Sequence, residues 1–238
     1  MRKNRGKSAE DEGLFGLVKE IDKLRIALED MNYLLSRGYA AKSSLELVAR
    51  KYRFKTKQTI ALQGMSCAIH DVELRNLKQC SVSQMKDKKV YIDGFNQLIL
   101  LESLLSGAYV FKGTDGVYRD TSSIYGNYRL VNQTEEALFI IGTVLKKLEV
   151  KKVVWVFDAP VSNSGKLKTV CHKIAEVNNF DWEVILEMAP DKYLSSTEDV
   201  VVTSDALILN QCHRWFNLFQ FLIENENLVD LNVINIVD

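Results

Sequence analysis

Val90-Tyr91-Ile92-Asp93-Gly94-Phe95-Asn96 decides how the chain is read. Lys88 to Ile92 is short, β-branched and aromatic, and predicts a strand. Phe95 to Leu105 is apolar and predicts a helix, with Gly107 as its stop. The strand therefore ends in an acid at the turn into a helix. The same arrangement recurs downstream. Lys152-Val153-Val154-Trp155-Val156-Phe157 is a continuous apolar run that ends in Asp158. Asp199-Val200-Val201-Val202-Thr203 is followed by Ser204-Asp205.

Helical patterns fill the gaps between these runs. Asn132 with Glu135 resembles a capping pair ahead of Leu138, Ile141, Leu145 and Leu148. Residues 164–178 and 206–224 predict helices, and Trp182 to Leu186 and Leu231 to Val237 predict further strands. Residues 108–131 are polar and glycine-rich, which predicts a long loop or small hairpin. Alternation at this rhythm, with nearly continuous apolar strands, predicts an α/β domain over residues 87–238 built on a mostly parallel, doubly wound sheet.

In such a sheet the C-terminal strand ends share one edge, where ligands bind. Asp93, Asp158 and Asp205 would converge there. Like charges at close range are unfavourable unless a cation neutralises them. A hard divalent ion does so, and it can lower the pKa of bound water and stabilise charge on a phosphoryl group. The competing reading is that each Asp simply caps the helix that follows. Asp191 follows the third long strand and is the next acid in line, with Asp120, Asp115 and Glu102 behind it. Asn96 could orient water, and Thr203 and Ser204 offer hydroxyls beside Asp205. Ser164 and Lys166 stand at a helix start, as a plain serine cap or as a phosphate contact.

The N-terminal part reads differently. Residues 1–12 are charged and aperiodic and predict a flexible tail. Residues 13–86 predict a small all-α domain, with a helix from Leu14 to Leu35, a stop at Gly38, a second helix from Ser43 or Ser44, and a third after Thr56 or Thr59. Between the last two lies Arg50-Lys51-Tyr52-Arg53-Phe54-Lys55-Thr56-Lys57. Short helices around a basic turn resemble a helix-turn-helix, with Arg50, Lys51 and Arg53 as phosphate contacts. Residues 1–90 hold 19 Lys+Arg against 11 Asp+Glu, and the remainder 12 against 20, so a net charge of zero joins a basic part to an acidic one. The apolar helix at 14–37 could also pair with a second copy.

Composition excludes other classes. Hydrophobic residues make up 47% of the 238 and charged residues 26%, which is ordinary for a globular chain. No apolar run is long enough for a membrane span and the start carries no secretory pattern, so a cytoplasmic protein with no membrane partner is expected. Cys67, Cys80, Cys171 and Cys212 form no CxxC, and their pairing with His70, His172 and His213 matches no usual zinc spacing. GxSxG, GxGxxG and GxxxxGK[ST] are all absent.

The stretch 90–96 resembles the opening of PIN-like nucleases, especially their NYN branch. Val200 to Asp205 resembles the late strand and acid of that superfamily, and Phe157-Asp158 fits its middle acid. Residues 115–126 look loosely like the substrate-side loop of flap-type nucleases. With its basic helical N-terminal part, the chain also resembles an archaeal family of two domains with placeholder names. The PIN-like resemblance covers residues 88–238. It implies a three-layer α/β/α fold and Mg²⁺- or Mn²⁺-dependent hydrolysis of nucleic acid, RNA more than DNA. By position Asp93, Asp158 and Asp205 would be metal ligands and catalytic residues, and Asp191 a fourth ligand. The chain departs from the superfamily in its short segment between Asp191 and Asp205 and in Ala159-Pro160. An inactive member that only binds nucleic acid is the alternative, and a phosphatase of small phosphoesters is a third reading.

Overall fold

The computed structural model describes residues 5–122, 127–226, 228 and 232–237. Residues 1–4 of the expected tail, 123–126 of the expected loop and Leu231 of the last expected strand lie outside them. The chain is α/β. Its centre is a five-stranded, wholly parallel sheet in the order β5-β4-β1-β6-β7. The strands are β1 (Lys89–Asp93), β4 (Lys152–Asp158), β5 (Trp182–Glu187), β6 (Val200–Val202) and β7 (Arg214–Trp215).

Helices cover both faces, and the strands' period of two sorts their side chains between them. Val90, Ile92, Trp155, Phe157, Val200 and Val202 pack into one core with α6 (Gly94–Leu105), α7 (Thr134–Lys147), α8 (Ser164–Asn178) and α11 (Leu218–Asn225). Tyr91, Val154, Val156 and Val201 face the opposite way, onto α9 (Pro190–Ser196) and α10 (Ala206–Gln211). Burial on both faces explains the nearly unbroken apolar character of β1, β4 and β6.

The helical part comprises α1 (Asp11–Phe15), α2 (Val18–Ser36), α3 (Ala41–Tyr52), α4 (Thr56–Met65) and α5 (Ile69–Lys78). Its core, with Leu24, Leu28, Met31, Leu62 and Met65, also contains Tyr109, Phe111, Ile234 and Ile236. Those four come from a second sheet, β3-β2-β8, and its flanks, where the strands are β2 (Val110–Lys112), β3 (Tyr118–Asp120) and β8 (Val233–Ile234). Helices and central sheet are thus joined through a shared small sheet.

Several local expectations are corrected. The helix expected over 206–224 is two helices. Asp205 caps α10, and Trp215 is drawn into the sheet edge, fully buried, with its indole N–H donating to the Arg75 carbonyl at 2.8 Å. The last expected strand pairs parallel with β2 and not with the central sheet. Asn132 does not cap α7. Its N-cap is Gln133, and the Thr134 hydroxyl accepts from the Val131 N–H. The helix from Leu14 breaks at Gly16-Leu17 into α1 and α2. Residues 5–12, read as flexible tail, are held. Arg5 pairs with Glu102 and lies over the Tyr128 ring, and Lys57 pairs with Asp11 at 2.6 Å. Glu102 is fully buried and also accepts from Tyr128 and Thr134.

Candidate acidic site at the sheet's switch point

The strand order reverses between β1 and β6. From β1 the chain steps outward to β4 and β5, then returns to β6 on the other side of β1. The helices that follow these two neighbours go to opposite faces, α6 to one and α10 to the other. That divergence opens a crevice at the carboxyl ends of the strands, the place where open parallel sheets bind ligands. Asp93 ends β1 and Asp205 follows β6, so the two acids stand on either side of it. β4 lies beside β1 in a register that pairs Asp93 with Val156, which puts Asp158 two residues further along the same edge.

The three acids differ in what holds them. Asp205 Oδ1 accepts from the N–H groups of Leu207 and Ile208, at 2.8 and 3.1 Å, so it is an N-cap as well as an edge acid. Asp93 precedes α6 and makes no cap bond. Its Oδ2 accepts instead from the Thr203 hydroxyl at 2.7 Å. Asp158 caps nothing, because α8 begins six residues later with Asn163 as its N-cap. Its Oδ1 is buried with no hydrogen-bond partner. Capping accounts for Asp205 and leaves Asp158 unexplained, while Asp93, at the N-cap position of α6, is also held by Thr203.

Burial pushes the Asp93 carboxyl up to about 7. The Thr203 hydrogen bond opposes this, and the nearby Asp205 and Asp191 charges add to it. Asp191, in the first turn of α9, is raised by partial desolvation and by the charges of Asp205 and Asp158. The four acids thus share one electrostatic field. A hard cation fits the donor chemistry, since all four offer carboxylate oxygens and Asp158 offers one without a partner. The side chains are not gathered into a preformed cage. Among the described residues, no group of three or more His, Cys, Asp and Glu is placed to hold a metal ion.

The hydroxyl and amide groups expected at the site mostly brace it. Thr203 and Ser204 are buried. Asn96 Oδ1 accepts from the Ser204 N–H at 2.8 Å, and Gln97 donates to both Asn96 Oδ1 and Ser204 Oγ. Gly94 leaves room for the Phe157 ring, which a Cβ at that position would meet at 2.3 Å. Ser164 is no cap either. It is buried, and its hydroxyl donates to the Ala159 carbonyl at 3.3 Å. Lys166 is exposed in the first turn of α8.

Arg50, Lys51 and Arg53 lie elsewhere, exposed where α3 meets α4. Lys51 is paired with Asp30 at 2.6 Å, and Arg53 closes α3 in the left-handed region at φ 53°. The opposite end of α4 reaches the crevice. Ile60, Gln63 and Gly64 line a cleft of 340 Å³ with Asn96, Ile99, Leu100, Arg119, Asp120, Ser122, Ser204, Asp205 and Ala206. Another cleft, of 470 Å³, sits at the other end of the strands and is lined by Lys78, Lys86, Lys88 and Arg214 with no carboxylate.

One buried constellation escaped the sequence. Asp115, a minor candidate acid in the expected loop, is clamped by Arg75 from α5 and by Arg119 from β3, the latter at 2.7 and 3.0 Å. Burial pushes the Asp115 carboxyl up, but the two guanidinium charges outweigh this and hold it below the usual range. Arg119 also donates to the carbonyls of Ser204 and Gly64, and Arg75 to Asn210 Oδ1 at 2.7 Å and the Ala206 carbonyl. The triad ties α4, α5 and the loop behind Asp205 into one piece. Its sequence signal was the i,i+4 spacing of Asp115 and Arg119 alone.

Comparison with known proteins places this fold in a family. Residues 82–221 match the family described as Domain of unknown function (DUF5616), which is more than half of the chain, and residues 23–78 match Protein of unknown function (DUF434). The chain belongs to the DUF5616 family. It is similar to Uncharacterized protein MJ0935 of Methanocaldococcus jannaschii, with 32% identity over 183 residues, covering 77% of this chain and 87% of the relative. No solved structure matches the chain. Among the described residues no helix is long and apolar enough to cross a membrane.

Proposed function

We propose that the chain is a metal-dependent nuclease that hydrolyses phosphodiester bonds, in RNA more than in DNA. The observation that carries this reading is the placement of Asp93 and Asp205 on either side of the switch point, with Asp158 beside them offering a buried, unpartnered oxygen. The resemblance of residues 88–238 to PIN-like nucleases of the NYN branch supports it and favours RNA. Asp93, Asp158 and Asp205 would hold the ion, with Asp191 at the margin. Mg²⁺ or Mn²⁺ supplies, when bound, a water of lowered pKa and charge compensation for the phosphoryl oxygens. Thr203 orients the Asp93 carboxylate, and Asn96 and Gln97 fix the loop that carries Thr203 and Asp205. Lys166, Arg50 and Arg53 are cations for the phosphate backbone, and the exposed Val18, Ile26 and Tyr33 on α2 would form the face of a homodimer.

One observation favours a second reading, a nucleic-acid-binding protein without turnover. The carboxylates are not preassembled as a cage, and Asp205 Oδ1 is engaged as a cap. End-labelled single-stranded RNA incubated with wild type or Asp93→Asn, with Mn²⁺ or with a chelator, separates the two. Metal-dependent cleavage that vanishes in the variant supports the nuclease. Binding without cleavage by either protein supports the second reading.

A further inference from the structure

We propose that the cleft between α4 and α6 receives one unpaired nucleobase carrying an exocyclic amino group, with Asp120 as its hydrogen-bond acceptor. The inference takes the origin of the ligand from the nuclease reading above, and goes beyond it in assigning a base site and a preference.

The cleft's size and walls set the class of ligand. At 340 Å³ it admits a base with its sugar and excludes a duplex. Its apolar lining comes from two helices, Ile60 on α4 and Ile99 with Leu100 on α6. Aliphatic side chains there can pack against the face of a planar ring. Asp205 lines the same cleft, so a base seated there brings its phosphate towards the acidic edge. Gln63, Asn96, Arg119, Ser122 and Ser204 supply the other polar lining groups.

Asp120 supplies the selectivity. It is half-buried at the end of β3. Oδ1 accepts from the Ser122 N–H at 2.6 Å and Oδ2 from the Ser103 hydroxyl at 3.3 Å. Each carboxylate oxygen can accept a second bond. An amino group such as cytosine N4 is a donor that a carboxylate recognises. Uracil presents a carbonyl oxygen at the same position and would face the carboxylate with like polarity.

Cytidine and uridine 5′-monophosphates differ at that edge of the base and are the probes. They are titrated into the full chain in chelator and followed by NMR. Phosphate contacts made anywhere on the molecule cancel in the comparison. Wild type is expected to hold the cytidine nucleotide ~10-fold more tightly, the effect typical of a hydrogen bond to a charged group. Asp120→Asn is expected to remove the difference. Ile60→Trp, which enlarges a lining side chain, is expected to weaken both nucleotides. Lys86→Ser, at the other cleft, is expected to leave the discrimination intact. Equal affinity of wild type for the two nucleotides overturns the proposal, and so does unaltered binding by a folded Ile60→Trp. Metal-dependent cleavage without nucleotide discrimination sinks the base site alone. Discrimination without cleavage sinks the nuclease reading and leaves the base site standing.

Discussion

The Thr203 hydroxyl donates to Asp93 Oδ2 at 2.7 Å from a position 110 residues away in the chain. The same hydroxyl oxygen accepts from the Asp205 N–H at 3.0 Å. One side chain therefore couples the acid that ends β1 to the acid that follows β6, across the point where the sheet reverses direction. The acidic site is a linked pair of strand ends and not three independent carboxylates.

Thr203→Val keeps the shape and removes the hydroxyl. Asp93 is deprived of a bond that favours its charged form, so its pKa moves further up. The Asp205 N–H is left without its acceptor, and the fold weakens by about 1–3 kcal/mol. Carboxyl-carbon NMR follows the first effect and chemical denaturation the second. Thr203→Ser should restore both. An unchanged Asp93 titration in Thr203→Val would refute the coupling.

Stability in the absence of divalent ions should depend on pH through Asp93. Its folded pKa of about 7 lies above its ordinary value of 3.8. The folded state therefore binds the extra proton, and the contribution is full below about pH 4 and lost as pH rises to about 7. Asp120, raised to about 6 mainly by burial, acts in the same direction. Asp93→Asn removes only the first. The variant should melt above wild type at pH 8, with the gap closing towards pH 4. Mn²⁺ should raise the melting temperature of wild type and leave that of the variant alone. Parallel melting profiles for the two proteins would show that the Asp93 carboxyl is not displaced.

Asp115→Asn strips the counter-charge from two buried guanidinium groups. Breaking a buried pair in this way costs about 3–5 kcal/mol. Because Arg75 and Arg119 bind across α4, α5 and the loop behind Asp205, the substitution should also loosen the helical part from the sheet. Limited proteolysis between α5 and β1 and a broadened denaturation curve are the expected readouts. A variant as resistant as wild type would mean that the apolar packing alone joins the two parts.

Binding of single-stranded RNA should respond unequally to the three basic residues at the α3–α4 corner. Lys51 is already paired with Asp30, whereas neither Arg50 nor Arg53 forms a salt bridge among the described residues. Neutralising one phosphate-binding cation lowers the salt slope by ~0.7 for a single strand. Arg50→Ser and Arg53→Ser should each show that change, and Lys51→Ser a smaller one. Equal slopes for all four proteins would move the RNA backbone off this corner.

Long buried strands were the most legible part of the sequence. β1 and β4 are buried runs of branched and aromatic residues, and their terminal acids stand out by eye. Short elements were not legible. β7 is two residues inside an apolar stretch that satisfies helical periodicity equally well, and only the fit of Trp215 beneath Arg75 distinguishes the readings. α9 was not expected, although proline is favoured at the first helical position, where Pro190 stands. α5 went unseen, and with it Arg75. The site divides in the same way. Its acids are local features of strand ends, but the Arg75–Asp115 half of the triad joins residues 40 apart, which no local spacing reveals. Ser164 misled because a serine at a helix start is so often a cap, whereas here the turn at Asn163 is left-handed, with φ 70°.

The two matched families meet between residues 78 and 82, where a cut would naturally be made to divide the chain. The hydrophobic core does not respect that seam. Tyr109, Phe111, Ile234 and Ile236 belong by position to the α/β part, yet they are buried against Leu14, Phe15 and Met31. A fragment starting near residue 82 would present these four side chains to water as a sticky face, and the complementary fragment would lack the floor on which its helices rest. Assays on either half would measure a damaged object, and any partner captured by that face would be an artefact of the scissors. The natural unit of inheritance here is the pair.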